Sequence, residues 1–351
     1  MRFTELTLAA QTAYAEVAEQ TRTFEMTNAL AGLSGSFHKL NRKGQDYWYF
    51  AYRDLDQRVR MVYMGPDEDR IRKLVERFGK TRRRKPLAAQ AGSAIALGCA
   101  VVAPKHFKII NRLVQYGFFR AGGILIGTHA FLAMGNLLGV RWTDGAATLD
   151  VDFAHAGRNV SVALPADLKI DTHGALESLE MGLLPISQFD GTLGPQYRSR
   201  TDQELRLDFV TSASRDGKAV VMPELNVALE PLKFMEFSLE GTTQACILGR
   251  GGACTVNIPA PERYAIHKLI VYGERPARER TKSRKDLLQA ASLAAYFDAN
   301  GQARAFNYAW RDAVERGKGW KERAMEGKKA LLRMAPALDK EIGRASCRER
   351  V

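Results

Sequence analysis

Two stretches in the middle of the chain alternate apolar and polar positions. The stretches TLDVDF (148–153) and ELRLDF (204–209) each place apolar side chains at every second residue. A period of two is the pattern of a β-strand with one buried face and one polar face. Both stretches are therefore predicted to be strands, with the apolar side chains in a core and the polar side chains on the opposite face.

The rest of the pattern predicts helices around these strands. Before residue 120 we expect a helix over 5–31, a hairpin of QDYWYFAYRD and QRVRMVYMG, a helix from Pro66 to about Phe78, and helices over 87–118. A short strand over 124–126 and a helix over 129–138 should follow. Later in the chain we expect short strands over 217–258, including AVVMP, EFSLEG and ACILG, and three helices after Pro261. Strands between helices, followed by a helical tail, indicate an α+β protein. We predict an N-terminal module over 1–85 ending in a basic linker, a middle domain over 86–258 and a helical domain over 259–340.

Composition and charge narrow the class of protein. The 351 residues are 46% hydrophobic and 26% charged, which is typical of a globular chain, and the net charge is +13. This excess of positive charge favours polyanionic partners such as nucleic acid or nucleotides. The four cysteines form no CxxC pair, and no apolar run is long enough to cross a membrane. We therefore expect a cytoplasmic protein without a zinc site, a disulfide framework or a membrane partner.

The last residues have a different character from the rest. The stretch EIGRASCRERV (341–351) resembles translated sequencing-adapter read-through. We exclude these residues from reasoning about the fold as an artefactual tail. The expectation that follows is a natural chain that is interrupted near Lys340.

Carboxylates dominate the polar faces of the two predicted strands. Asp150 and Asp152 stand about 6–7 Å apart on one face, and like charges at that spacing repel each other. A solvated surface strand tolerates this arrangement, and a bound cation would remove the repulsion. Asp208 on the second strand can complete a ligand set for two divalent ions, which clamp the attacking and leaving oxygens in phosphoryl transfer.

A candidate phosphate site comes before these strands in the chain. Gly127 and Thr128 follow the short apolar strand and begin a helix. Free backbone N–H groups at a helix start, together with a hydroxyl, suit a phosphate group.

These motifs resemble the nucleotidyltransferase superfamily with the DNA polymerase beta-like fold. The residues that carry the resemblance are Ile126-Gly127-Thr128, Asp150-Val151-Asp152-Phe153 and Asp208. The chain is more specifically similar to a bacterial nucleotidyltransferase-fold family with GTHAF and TLDVDFA motifs. Thr128 replaces the usual Gly or Ser, and the 21 residues between Thr128 and Asp150 exceed the spacer of the general signature. The resemblance implies a mixed sheet with flanking helices and catalytic roles for Asp150, Asp152 and Asp208.

The helical tail also resembles nucleotidyltransferases of the AbiEii toxin type. In those proteins a helix lysine and a downstream basic-Asp pair follow the catalytic strands. The matching residues here are Lys268, Lys285 and Asp286. The resemblance implies that Lys268 and Lys285 bind the nucleotide, while Asp286 only orients a lysine. The alternative is that a lysine on an amphipathic helix extends to solvent.

The function expected from these residues is nucleotidyl transfer. With Mg²⁺ (or Mn²⁺) as cofactor, the protein would move a nucleoside monophosphate from an NTP such as ATP to an acceptor hydroxyl and release pyrophosphate. The positive charge favours RNA, for example a tRNA end, as the acceptor. The alternative is a catalytically inactive nucleotide- or nucleic-acid-binding protein with the same fold. A phosphodiester hydrolase is a further enzymatic alternative, and the oligomeric state stays open.

An aromatic stretch in the N-terminal module has two interpretations. Tyr47, Trp48 and Tyr49 lie in the predicted hairpin, which the basic run KTRRRKP (80–86) follows after one helix. Aromatic rings near positive charge can stack on nucleic-acid bases. They can equally form the core of a small module.

Overall fold

The computed structural model describes most of the chain. The described residues are 2–31, 35–42, 44–53, 59–83, 87–156, 170–186, 194–212, 217–276 and 283–340. The predicted artefactual tail therefore lies outside the described residues. In the described residues, no helix is both long enough and apolar enough to cross a membrane.

Strands and helices alternate through most of the chain. The strands are β1 (Phe3–Glu5), β2 (Gly35–Arg42), β3 (Gln45–Arg53), β4 (Val59–Pro66), β5 (Gly123–Leu125), β6 (Val140–Trp142), β7 (Asp150–His155), β8 (Leu183–Pro185), β9 (Gln196–Ser199), β10 (Arg206–Ser212), β11 (Val220–Met222), β12 (Val227–Leu232), β13 (Thr242–Gly249) and β14 (Gly252–Pro259). The helices are α1 (Leu8–Ala31), α2 (Asp69–Arg83), α3 (Ala88–Ala96), α4 (Pro104–Gln115), α5 (Gly127–Leu137), α6 (Thr172–Glu177), α7 (Met235–Leu239), α8 (Pro261–Glu274), α9 (Arg284–Ala299), α10 (Ala303–Glu315) and α11 (Lys318–Met334). A short 3₁₀ turn, Pro336–Lys340, follows.

A mixed sheet forms the centre of the fold. Its strand order is β11-β12-β10-β7-β5, and β9 adds β8 beside the first half of β10. The pairs β7–β10 and β10–β12 are parallel, whereas β5–β7, β9–β10 and β11–β12 are antiparallel. A mixed sheet with flanking helices agrees with the predicted α+β class.

The predicted alternation in β7 and β10 is confirmed. Val151, Phe153, Leu207 and Phe209 are fully buried, and the rings of Phe153 and Phe209 stack with centroids 5.1 Å apart. The polar residues between them face the other side of the sheet because successive side chains on a strand point in opposite directions. The apolar face fixes which side of both strands the aspartates occupy.

One main core joins the sheet to the helices at both ends of the chain. It contains residues from Phe3 in β1 to Leu338 in the 3₁₀ turn. β1 pairs with β6, and α1 packs on α3 and on the β13–β14 hairpin. At the other end, α8 packs against α9 and α11.

A separate antiparallel sheet contains β2, β3 and β4 in that order. The predicted hairpin corresponds to β3 and β4, and β2 adds a strand that the pattern did not predict. The helix after it extends to Arg83, beyond the expected end near Phe78. The first half of the expected basic linker is therefore helical backbone, and residues 84–86 lie outside the described residues.

One predicted strand is wrong. The pattern predicts a strand over EFSLEG (236–241), but most of this stretch forms helix α7. Phe234 begins this turn with φ at +66°, and Phe237 and Leu239 are buried. A five-residue helix has too few turns to show a helical period, so tertiary packing decides its conformation.

Candidate active site

Strands β7 and β10 bring the three predicted aspartates to one face. In this parallel pair Asp152 lies beside Asp208, and Asp150 lies beside Arg206. Partners on adjacent strands are about 4.8 Å apart in the hydrogen-bonding direction. The register thus makes Asp152 and Asp208 direct neighbours. Asp150 lies two residues earlier on β7, beside Arg206.

Burial disfavours the charged forms of Asp152 and Asp208. It is the main reason that the pKa of Asp152 is raised, although the positive charge of Lys268 opposes the shift. Burial, followed by the charge of Asp152, raises the pKa of Asp208 to about 6. One oxygen of Asp208, Oδ1, is buried and has no hydrogen-bond partner among the described residues. Burial therefore outweighs the nearby positive charges at both carboxyl groups, and Oδ1 of Asp208 lacks a donor.

Two arginines that the sequence analysis missed moderate this negative charge. Arg206 and Arg198 lie opposite each other in the β9–β10 pair, and both lower the pKa of Asp208. Their contribution is smaller than that of burial, so the net shift remains upward. Arginine on an alternating strand looks like an ordinary solvent-facing residue. The period of two places Arg206 beside Asp208 on β10, whereas only the strand pairing brings Arg198 near it.

Gly127 closes one side of the acidic pair. It begins α5 with φ at +61°, a left-handed conformation that strongly favours glycine. A Cβ atom at this position would lie 2.0 Å from Oδ2 of Asp152. The absence of a side chain therefore lets the Asp152 carboxylate lie directly against the first turn of the helix.

Thr128 has a different environment from the one predicted. Its side chain is buried, and its hydroxyl lies 3.5 Å from Nε2 of Gln289. Gln289 also donates a hydrogen bond to the carbonyl of Gly145. The Thr128 hydroxyl thus faces helix α9, and its role in phosphate binding stays a prediction.

Tyr264, which the sequence pattern did not single out, contacts the backbone of the Gly127 turn. Its hydroxyl lies 2.9 Å from the carbonyl oxygen of Gly127 and 2.8 Å from Oε1 of Gln289. The contact connects α8 and α9 to the start of α5. Tyr264 sits on the apolar side of a helix, where a tyrosine usually indicates only core packing.

Lys268 reaches the cleft from α8 and is held by an ion pair. Its Nζ lies 2.6 Å from Oδ1 of Asp286, and its side chain is only 15% exposed. Arg275 binds the other oxygen of Asp286 at 2.9 Å. Burial would lower the pKa of Lys268, but Asp286, Tyr264 and Asp152 together raise it. Lys268 is thus a buried cation rather than a lysine that extends to solvent, and Asp286 orients it.

A cleft of about 320 Å³ joins these groups. Its polar lining includes Asp152, Asp208, Gln196, Lys268, Arg275 and Glu230, while Val210, Leu232, Met235 and Val271 contribute apolar surface. Gly127 lies at the cleft wall, whereas Asp150, Thr128 and Lys285 are not among the described residues that line it. The positive charge of Lys285 opposes the burial that raises the pKa of Asp152, and it assists Lys268 and Arg275 in lowering the pKa of Asp286.

The chemistry of the acidic pair fits a divalent cation. Within the described residues, no group of three or more His, Cys, Asp or Glu side chains could hold a metal ion. Mg²⁺ is commonly bound by one or two carboxylates together with waters and substrate phosphates, so two carboxylates are sufficient on the protein side. The orphaned oxygen of Asp208 and the raised pKa of Asp152 are the features that a cation would relieve.

One comparison with known proteins identifies the family of the chain. A sequence model of a family described as nucleotidyltransferase matches residues 105–315, which include the acidic strands, the Gly127 turn, α8 and α9. The match covers more than half of the chain, so the chain belongs to this nucleotidyltransferase family. No curated protein and no solved structure matches the chain. The predicted nucleotidyltransferase class is confirmed, while the AbiEii type and the bacterial source stay predictions.

Proposed function

We propose that the protein transfers a nucleoside monophosphate from an NTP to an acceptor hydroxyl on RNA. The hydroxyl oxygen forms a bond to the α-phosphorus, the bond from that phosphorus to the β-phosphate oxygen breaks, and pyrophosphate leaves with its electrons. The hydroxyl proton passes to a carboxylate or to water. The observation that carries the proposal is that one cleft contains Asp152, Asp208, Gly127 and Lys268.

Each group has a role that its surroundings support. Asp152 and Asp208 would hold Mg²⁺ or Mn²⁺, which when bound supplies positive charge to the phosphate oxygens. Lys268 offers a preorganised ammonium to the triphosphate because Asp286 fixes its position. The first turn of α5 offers free backbone N–H groups next to Gly127. The apolar wall of the cleft suits the nucleoside.

The first experiment removes one charge from the acidic pair. Asp152→Asn keeps the shape of the side chain, and we expect transfer from a labelled NTP to total RNA to fall by about 10²–10³ or more. Asp298→Asn, at an exposed position near the end of α9, is the matched control and should leave transfer unchanged. Circular dichroism checks that both variants are folded. Transfer by Asp152→Asn at the wild-type rate would favour the inactive nucleotide-binding protein.

Asp150 is tested separately because it does not line the cleft. If Asp150, Asp152 and Asp208 all hold the metal, we expect Asp150→Asn to lose as much transfer as Asp152→Asn. A loss of less than about 10-fold would instead leave Asp152 and Asp208 as the essential pair and give Asp150 an electrostatic role beside Arg206.

A further inference from the structure

Three tyrosines form a cluster on one face of the β2–β4 sheet. Tyr49 pairs with Tyr63 across β3 and β4, and their ring centroids are 5.6 Å apart. Tyr47 lies two residues before Tyr49, and its ring is 6.0 Å from that of Tyr63. Tyr63 is 54% exposed, so the cluster has aromatic surface open to solvent.

The opposite face of the same sheet contains its own small core. Phe37 lies 5.0 Å from Phe50 and 6.5 Å from Trp48, measured between ring centroids. Phe50 is only 6% exposed, and the indole N–H of Trp48 donates a hydrogen bond to Asp67. The two interpretations of the aromatic stretch therefore apply to different residues. Trp48 and Phe50 pack the module from one face of β3, and Tyr47 and Tyr49 lie on the other face.

Positive charge is concentrated in this part of the chain. Residues 35–86 contain fifteen Lys and Arg against seven Asp and Glu, a net charge of +8 out of +13 for the whole protein. The guanidinium of Arg42 lies 5.5 Å from the ring centroid of Tyr49. A polyanion complements this charge, and flat aromatic rings beside arginine are the surface on which unpaired bases stack.

We propose that the face formed by Tyr47, Tyr49 and Tyr63, with Arg42, binds single-stranded RNA. Bases stack on the tyrosine rings, and the basic residues of the module neutralise the phosphates. The inference deepens the proposed function, on which it rests, because it assigns a binding surface to the RNA acceptor. We expect single-stranded RNA to bind better than duplex RNA, since paired bases cannot stack on protein rings.

The test measures binding in the absence of any NTP. Fluorescence anisotropy with a labelled single strand of about 12 nucleotides, a length within the range of known single-strand sites, gives Kd for the full chain. We expect the double variant Tyr47→Ala/Tyr63→Ala to bind about 10-fold more weakly or worse. The corresponding double Tyr→Phe variant keeps the rings and should bind within about threefold of wild type.

Tyr308 provides a matched control on another element. It is 53% exposed on α10, and Arg304 and Arg311 lie 5.6 and 5.7 Å from its ring centroid. Because Tyr308 has a similar local environment but lies on α10, outside the β2–β4 sheet, Tyr308→Ala should leave RNA binding unchanged. Equal weakening by Tyr308→Ala and the double Ala variant, or equal wild-type affinity for duplex and single-stranded RNA, would overturn the proposal.

A second measurement on the wild-type protein covers the case in which the double variant unfolds. Photo-crosslinking with 4-thiouridine RNA, mapped by mass spectrometry, should modify peptides within residues 42–63. Crosslinks confined to other regions would overturn the inference. Asp152→Asn separates the two proposals, since it should lose transfer and keep RNA binding. Transfer to a non-RNA acceptor, without any binding of single strands, would support the transferase and reject this surface.

Discussion

Gly127 is constrained by its backbone conformation and by its neighbour. Its φ of +61° and the 2.0 Å approach of a Cβ atom to Asp152 act independently. Gly127→Ala should therefore displace the Asp152 carboxylate and lower transfer by at least 10-fold, in addition to costing about 1–2 kcal/mol of backbone strain.

Gly301 allows these two effects to be separated. It has a φ of +65°, and no atom of the described residues lies within 4 Å of its added Cβ. Gly301→Ala should show a similar loss of thermal stability with transfer unchanged, measured by melting and by NTP labelling. Equal activity of the two variants would show that the contact with Asp152 is irrelevant.

We expect the stability of the protein to depend on pH through Asp208. Its pKa in the folded protein is raised from 3.8 to about 6 by burial and by Asp152. The folded state thus binds this proton more tightly than the unfolded state, so the stability that Asp208 contributes is fully present below its unfolded pKa of 3.8 and is lost as the pH rises through about 6. In metal-free protein at pH 7, Asp208→Asn should be more stable than wild type by about 1–2 kcal/mol, after discounting for solvent screening.

Denaturant melts of both proteins at pH 4 and pH 7 measure this effect. The advantage of the variant should be much smaller at pH 4, where the wild-type carboxyl is protonated in the folded state and partly protonated in the unfolded state. An advantage that does not change with pH would mean that Asp208 is not desolvated.

Helices α8 and α9 act together through Lys268, Asp286 and Arg275. Lys268→Ala removes a cation from the cleft, and we expect NTP affinity to fall about 10- to 100-fold. Arg275 still pairs with Asp286 at 2.9 Å, so the loss of stability should be modest. Isothermal titration with an NTP and thermal melting measure the two effects.

Lys105 offers a control for this prediction. Its Nζ lies 2.8 Å from Asp202, and both side chains are about one-third exposed. Lys105→Ala removes a similar ion pair at the surface, where such pairs contribute little, and should change neither NTP affinity nor stability by much. If Lys268→Ala lowered stability without weakening NTP binding, Lys268 would be a purely structural residue.

Among the described residues, the main core and the small β2–β4 sheet are packed by different sets of side chains. The main core extends from Phe3 to Leu338, so the central sheet and the helices at both ends should unfold together. The β2–β4 sheet relies on Phe37, Trp48 and Phe50. A small apolar cluster supports less stability than a large one, so this sheet should open at a lower free energy.

Hydrogen exchange with mass spectrometry tests this difference. Amides of β3 and β4 should exchange through local opening, while those of β7 and β10 should exchange only on global unfolding. Identical opening free energies in both regions would show that the small sheet is an integral part of the main core.

The sequence alone determined the strands of the site and the side of each strand that carries charge. A period of two is a local property, so Val151 and Phe153 buried one face and left Asp150 and Asp152 on the other. The glycine that begins α5 could also be predicted, because a turn between an apolar strand and a helix favours that residue. These features depend on neighbours within a few positions of the chain.

Only the tertiary structure decided which of these residues meet. The register that places Asp152 beside Asp208 joins residues 56 positions apart, and the ion pair of Lys268 joins two different helices. Contacts made by Tyr264 and Gln289 with the Gly127 turn arise in the same way. Local periodicity carries no information about distances between separate elements. Packing of the buried faces sets those distances and therefore decides which residues line the cleft.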